Sequence, residues 1–96
     1  MSEVLQGRAA IVTGASQGLG LAIARAYVEG GANVLVCARN AALLDEEQRE
    51  LQALAQPGQV ILAEAADVAN AEDVARVTES AIRAFGQVQI LVNNAG

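Results

Sequence analysis

The chain has 96 residues, and a domain of that size buries only roughly 60–65% of the surface its unfolded form exposes. Its apolar fraction is 53% but its aromatic fraction only 2%, so the composition excludes a disordered segment and asks for a core of Val, Leu, Ile and Ala. Six arginines, no lysine and eleven acidic residues leave a net charge of −5, which repels polyanions and argues against a nucleic-acid or anionic-membrane partner.

The start, Met1-Ser2-Glu3-Val4, lacks the basic-then-apolar order of a signal peptide, and no apolar run approaches the ~18–20 residues of a membrane span. A cytoplasmic protein is expected. Cys37 is the single cysteine and histidine is absent, so neither an internal disulfide nor a usual metal cluster is expected. Cys37 closes an apolar run and reads as a small buried hydrophobe.

In chain order, Ala9–Thr13 is a short apolar run without alternation, the pattern of a strand covered on both faces, and similar runs recur at Val34–Ala38, Val60–Ala63 and Val88–Val92. A helical segment follows the first run, with Leu19, Ile23, Ala26 and Tyr27 on one face and Arg25 and Glu29 on another, stopping at Gly30-Gly31. Tyr27 is expected in the core.

The second helix is expected over about Ala41–Ala55, with Leu44, Leu51, Leu54 and Ala55 inward, the acidic run Asp45-Glu46-Glu47 near its start, and Pro57-Gly58 as its stop. The third begins at Asn70, a favourable N-cap with Asp73 three positions later, turns Val74, Val77, Ala81 and Phe85 inward and ends at Gly86. The order β-α-β-α-β-α-β implies parallel pairing through right-handed crossovers. The fold expected is a single α/β domain over 1–96, a Rossmann-like doubly wound parallel sheet, truncated, with strand order 3-2-1-4.

The first strand runs into Thr13-Gly14-Ala15-Ser16-Gln17-Gly18-Leu19-Gly20, three glycines in a strand-to-helix turn. Glycine lets the backbone turn tightly and approach a pyrophosphate, and a helix N-terminus offers unpaired N–H groups with about half a positive charge. By itself the spacing Gly-x-x-x-Gly-x-Gly also suits a plain tight connection. Near the end of the second strand, where a carboxylate would bind a ribose diol and repel a 2′-phosphate, stands Cys37-Ala38-Arg39-Asn40. The planar, permanently charged fork of Arg39 suits a phosphate, so NADP(H) is expected over NAD(H).

These motifs resemble the short-chain dehydrogenase/reductase (SDR) family, whose Thr-Gly-x-x-x-Gly-x-Gly signature is met at every position from Thr13 to Gly20. Asp67-Val68 after the third strand and Asn93-Asn94-Ala95-Gly96 after the fourth match two further family markers in the correct order. The resemblance implies pyrophosphate contacts from Gly14, Ser16, Gln17, Gly18, Leu19 and Gly20. It also implies adenine contacts from Asp67 and Val68 and a ribose contact from Asn94, with Asn93 structural.

The family's reaction, hydride transfer between a nicotinamide dinucleotide and an alcohol or carbonyl substrate, uses a Tyr, a Lys and a Ser. This chain has no lysine, and its one tyrosine, Tyr27, has Gly31 four positions on, so Tyr-x-x-x-Lys is absent and no catalytic residue is assigned. The expectation is the cofactor-binding, amino-terminal part of an oxidoreductase whose complete form is a homo-oligomer. The competing reading is a non-catalytic nucleotide-binding or interaction half-domain that uses its open sheet edge.

Overall fold

The computed structural model describes residues 4–15 and 18–93. Its elements are β1 (Ala9–Thr13), α1 (Gly18–Glu29), β2 (Asn33–Ala38), α2 (Ala41–Leu54), β3 (Ile61–Ala65), α3 (Ala71–Phe85) and β4 (Ile90–Val92). The described strands pair in parallel in the order β3-β2-β1-β4, as expected for part of a doubly wound sheet. One register row runs Ala63, Val36, Val12, Val92 across the sheet.

Side chains of successive strand residues point to opposite faces, which explains why apolar runs without alternation suit these strands. Val12, Val34 and Val36 enter the core beneath α1 and α2, together with Ala24, Val28, Leu44, Leu51 and Ile61. Ile11, Leu35 and Cys37 enter a second core on the opposite face with Val77 and Ala81 of α3. Cys37 is buried, as expected of a small hydrophobe. Among the described residues, two helices cover one face and one helix covers the other. An apolar groove of about 280 Å³ therefore runs beside α3, between Val74 and Val77 on one side and Ile11, Val88 and Leu91 on the other.

Several inward faces differ from the periodicity. In α1 the buried positions are Gly20, Ala24 and Val28, with Ile23 and Tyr27 packed partly against them, whereas Leu19 is 66% exposed and Ala26 is also outside. Leu19 lies in the first turn of α1, beyond the end of β1. Leu54 is exposed in the last turn of α2 while Ala55, just past it, packs against the core. Val74 is half-exposed along that groove.

The element ends shift by small amounts. β3 begins at Ile61 rather than Val60 and continues to Ala65, because its ladder with β2 extends to Ala38↔Ala65. β4 begins at Ile90, since its pairing with β1 starts at Ala10↔Ile90. Asp45 is the fifth residue of α2, so the acidic run lies past the first turn, outside the reach of the helix dipole. The cap of α2 is Asn40, whose Oδ1 accepts the Leu43 N–H at 3.1 Å. Asn70 caps α3 as expected, accepting the Asp73 N–H at 3.0 Å.

Candidate nucleotide site

Parallel strands bring every strand-to-helix turn to the same end of the sheet. Thr13, Cys37 and Glu64 share one register row, and Gly14, Arg39 and Asp67 lie one, two and three residues beyond it respectively. With neighbouring strands about 4.8 Å apart, the three turns span roughly 10 Å along that end. The Ala15 N–H donates to the Cys37 carbonyl at 3.3 Å, tying the turn after β1 to the end of β2.

Gly14 and Gly18 both have φ of +63°, the left-handed region in which a side chain is strained. A Cβ added at Gly18 would meet nothing within 4 Å, so the backbone at the start of α1 is open to close approach. Leu19 is exposed beside it and Gly20 is buried within α1. Ser16, Gln17 and Asn94 lie outside the described residues.

Arg39 is exposed at the end of β2 and forms no ion pair among the described residues. Asn40 spends its side chain on the cap of α2, which starts the helix directly after Arg39. Asp67 and Val68 lie in the turn after β3, where Asp67 is half-buried and Val68 is 37% exposed. The site therefore brings Gly14, Gly18, Leu19, Arg39, Asp67 and Val68 to one end of the sheet.

Thr13 is buried at the end of β1, beside β4. Its hydroxyl donates to the Val92 carbonyl at 3.2 Å and lies 3.3 Å from Oδ1 of Asn93. Asn93 thus bonds within the scaffold, in keeping with a structural role. The sequence reading omitted Asp73 and Arg76 from the site. Asp73 Oδ2 accepts the Asp67 N–H at 2.9 Å, and Arg76 joins Asp73 to Glu64 on β3. The Asp67 N–H, chiefly, and the Arg76 guanidinium hold the Asp73 carboxyl below its ordinary range.

Burial, chiefly, and the nearby Glu64 carboxylate push the Cys37 thiol up, so it is not an activated nucleophile. Among the described residues no three His, Cys, Asp or Glu side chains are grouped to hold a metal, and no helix is long and apolar enough to cross a membrane.

The family model described as short chain dehydrogenase matches residues 8–96. The L-fucose dehydrogenase of Bos taurus is 42% identical over 90 residues, covering 94% of this chain and 31% of the relative. The 11-beta-hydroxysteroid dehydrogenase A of Sesamum indicum is 37% identical, covering 99% of this chain and 27% of the relative. Among solved structures, L-sorbose reductase from Gluconobacter frateurii, complexed with NADPH and L-sorbose, superposes with a TM-score of 0.90 at 42% identity, over 100% of this chain and 36% of that one. A short-chain type dehydrogenase/reductase from Mycobacterium ulcerans gives 0.91 at 32% identity, over 100% and 34%. The chain spans about a third of the length of these proteins.

Proposed function

From the premise that the chain belongs to the short-chain dehydrogenase family, we propose that it is the NADP(H)-binding amino-terminal part of an oxidoreductase that interconverts a carbonyl and an alcohol. The single observation that carries this reading is the meeting of an open glycine turn at a helix N-terminus with an exposed Arg39 on the adjacent strand end that forms no ion pair among the described residues. Such a turn suits a pyrophosphate through its N–H groups, and an Arg fork suits a 2′-phosphate two strands' width or less away.

When bound, the dinucleotide supplies a nicotinamide that accepts or donates hydride. This chain's own residues bind and orient it: Gly14, Ser16, Gln17, Gly18, Leu19 and Gly20 at the pyrophosphate, Arg39 at the 2′-phosphate, Asp67 and Val68 at the adenine, and Asn94 at the ribose. No acid/base residue is assigned within the chain. Proton transfer, the small-molecule substrate contacts and the surfaces of a homo-oligomer belong to the complete protein in this reading, as does a cytoplasmic location. The relative solved with NADPH lends support to the cofactor class.

The test is a fluorescence titration of the chain with NADPH and with NADH. NADPH is expected to bind at least about tenfold more tightly, since a hydrogen bond to a charged group contributes about 1.5–3 kcal/mol and each 1.4 kcal/mol is tenfold. Arg39→Asp is expected to invert the preference. Absence of saturable binding, or an unchanged preference in Arg39→Asp, would overturn the reading.

A further inference from the structure

The turn after β3 is fastened to α3 by an arrangement that departs from an ordinary helix cap. Asn70 caps α3 and Asp73 is its third helical residue. In a capping box the acidic side chain at that position returns to the N–H of the cap residue itself. Here the Asn70 N–H donates instead to the Asp67 carbonyl at 2.9 Å, and the Asp73 carboxylate reaches further back, taking the Asp67 N–H on Oδ2 at 2.9 Å.

The other oxygen of Asp73 lies 3.4 Å from Nη2 of Arg76. Arg76 in turn donates through Nη1 to Glu64 Oε1 at 2.7 Å and through Nη2 to the Ala65 carbonyl at 3.2 Å. Asp67 Oδ1 accepts the Ala69 N–H at 2.9 Å. The backbone N–H and carbonyl of Asp67 are thus both held inside the turn, and the next residue, Val68, is left on its exposed side.

We propose that Asp73, braced by Arg76, is the positioning residue for the adenine side of the nucleotide site. It fixes the peptide plane between Ala66 and Asp67, and with it the direction in which the Asp67 carboxylate and the Val68 backbone are presented. The inference rests on the reading of Asp67 and Val68 as adenine contacts. The charged and titratable groups around Asp73 are Arg76 on its own helix, Glu64 on β3, Asp67 in the turn and the Cys37 thiol on β2. Arg76 is the cation among them, and with the Asp67 N–H it holds the Asp73 carboxylate toward the turn.

The experiment compares the wild-type chain with Asp73→Ala, Asp73→Asn and Arg76→Gln. The probes are adenosine 2′,5′-bisphosphate for the adenine half and nicotinamide mononucleotide for the other half. Asp73→Ala is expected to weaken the bisphosphate about five- to tenfold, as loss of one charge-assisted hydrogen bond acting through the backbone would, and to leave the mononucleotide within about twofold. Asp73→Asn retains a carbonyl acceptor for the Asp67 N–H and is expected to restore most of the affinity. In ligand-free chain, the Asp67 amide proton resonance is expected to move upfield in Asp73→Ala.

An unchanged affinity in folded Asp73→Ala, or parallel weakening of both probes, would overturn the positioning role and leave the nucleotide site standing. If the wild type binds neither probe, the reading of the site falls and the positioning role with it. Should Asp73→Ala fail to fold, Arg76→Gln decides: a selective loss of about two- to threefold for the bisphosphate supports the proposal, and no selective loss overturns it.

Discussion

The hydroxyl of Thr13, the last residue of β1, donates to the main-chain carbonyl of Val92, 79 positions further along the chain, at 3.2 Å. That bond joins the C-terminal ends of the central strand and the strand on its far side, beside the candidate site. Thr13→Val conserves shape and removes the donor, leaving the partner oxygen to face a methyl group. A loss of about 1–2 kcal/mol is expected, and urea unfolding measures it; Thr13→Ser is expected to retain most of the wild-type stability.

Gly18→Ala separates two roles of one residue. Its φ of +63° strains any side chain, at about 1–2 kcal/mol. The new methyl group would also point into open space at the helix N-terminus. Nucleotide affinity is therefore expected to fall about tenfold or more, beyond what the stability change explains, because the backbone loses its close approach to phosphate. Binding measured well below the melting temperature checks this.

Acid should weaken the fold through Asp73. Its carboxyl is held below the ordinary value of 3.8, first by the Asp67 N–H and then by Arg76. A folded-state value lower than the unfolded one means that the charged form favours the fold above the unfolded value, and that this contribution disappears as pH falls through the folded one. Wild-type stability is expected to decline on acidification below about pH 4, more steeply than that of Asp73→Asn. Thermal unfolding across a pH series gives both slopes.

Glu47 works in the opposite sense. Burial, chiefly, and the neighbouring Glu50 carboxylate push its carboxyl above the ordinary 4.5, with Arg25 acting against them. Its Oε2 is buried with no hydrogen-bond partner among the described residues. A raised folded value makes the charged side chain unfavourable to the fold at neutral pH, and the stabilising protonated form is fully present only below the unfolded value. Glu47→Gln is expected to raise the melting temperature at pH 7 by about 1–3 °C and to leave it nearly unchanged near pH 3.

Cys37 reports on the integrity of the face it lies against. It is 1% exposed, and its thiol is pushed above the ordinary 9.0 by burial and by Glu64. Labelling by an aromatic disulfide at pH 8 is expected to be slow in the native chain, and to accelerate with denaturant in step with unfolding. Rapid labelling without denaturant would contradict the burial.

The strands, the helices and the Asn70 cap were legible in the sequence because periodicity and turn residues report them locally, and the strand order followed from the doubly wound arrangement that alternating strands and helices favour. The inward positions of α1 were less so. Leu19 satisfies a helical spacing, but the face that packs inward runs through Gly20, Ala24 and Val28 and leaves Leu19 outside. Val74 likewise follows the apolar spacing of α3 but borders an open groove.

In the site, Gly14 and Gly18 were readable because a glycine signature reports a backbone requirement, which their positive φ bears out. Asp73 was not. The spacing Asn70-x-x-Asp73 reads as a helix cap alone, and only the path of the preceding turn shows the carboxylate reaching Asp67. Arg76 was hidden for the same reason, since its partners Glu64 and Asp73 belong to different elements.

The pairing of β1 with β4 also has a consequence for how the chain is made. The Ala9 N–H finds its acceptor in Gln89, 80 positions later, so one side of β1 has nothing to pair with until the last of these residues has been synthesised. At about 5–20 residues per second, translation leaves that side exposed for roughly 4–16 s. The other two pairings come earlier, since β2 ends at Ala38 and β3 at Ala65, ahead of β4 at Ile90–Val92. For those seconds the nascent chain carries a central strand that is paired on one side only.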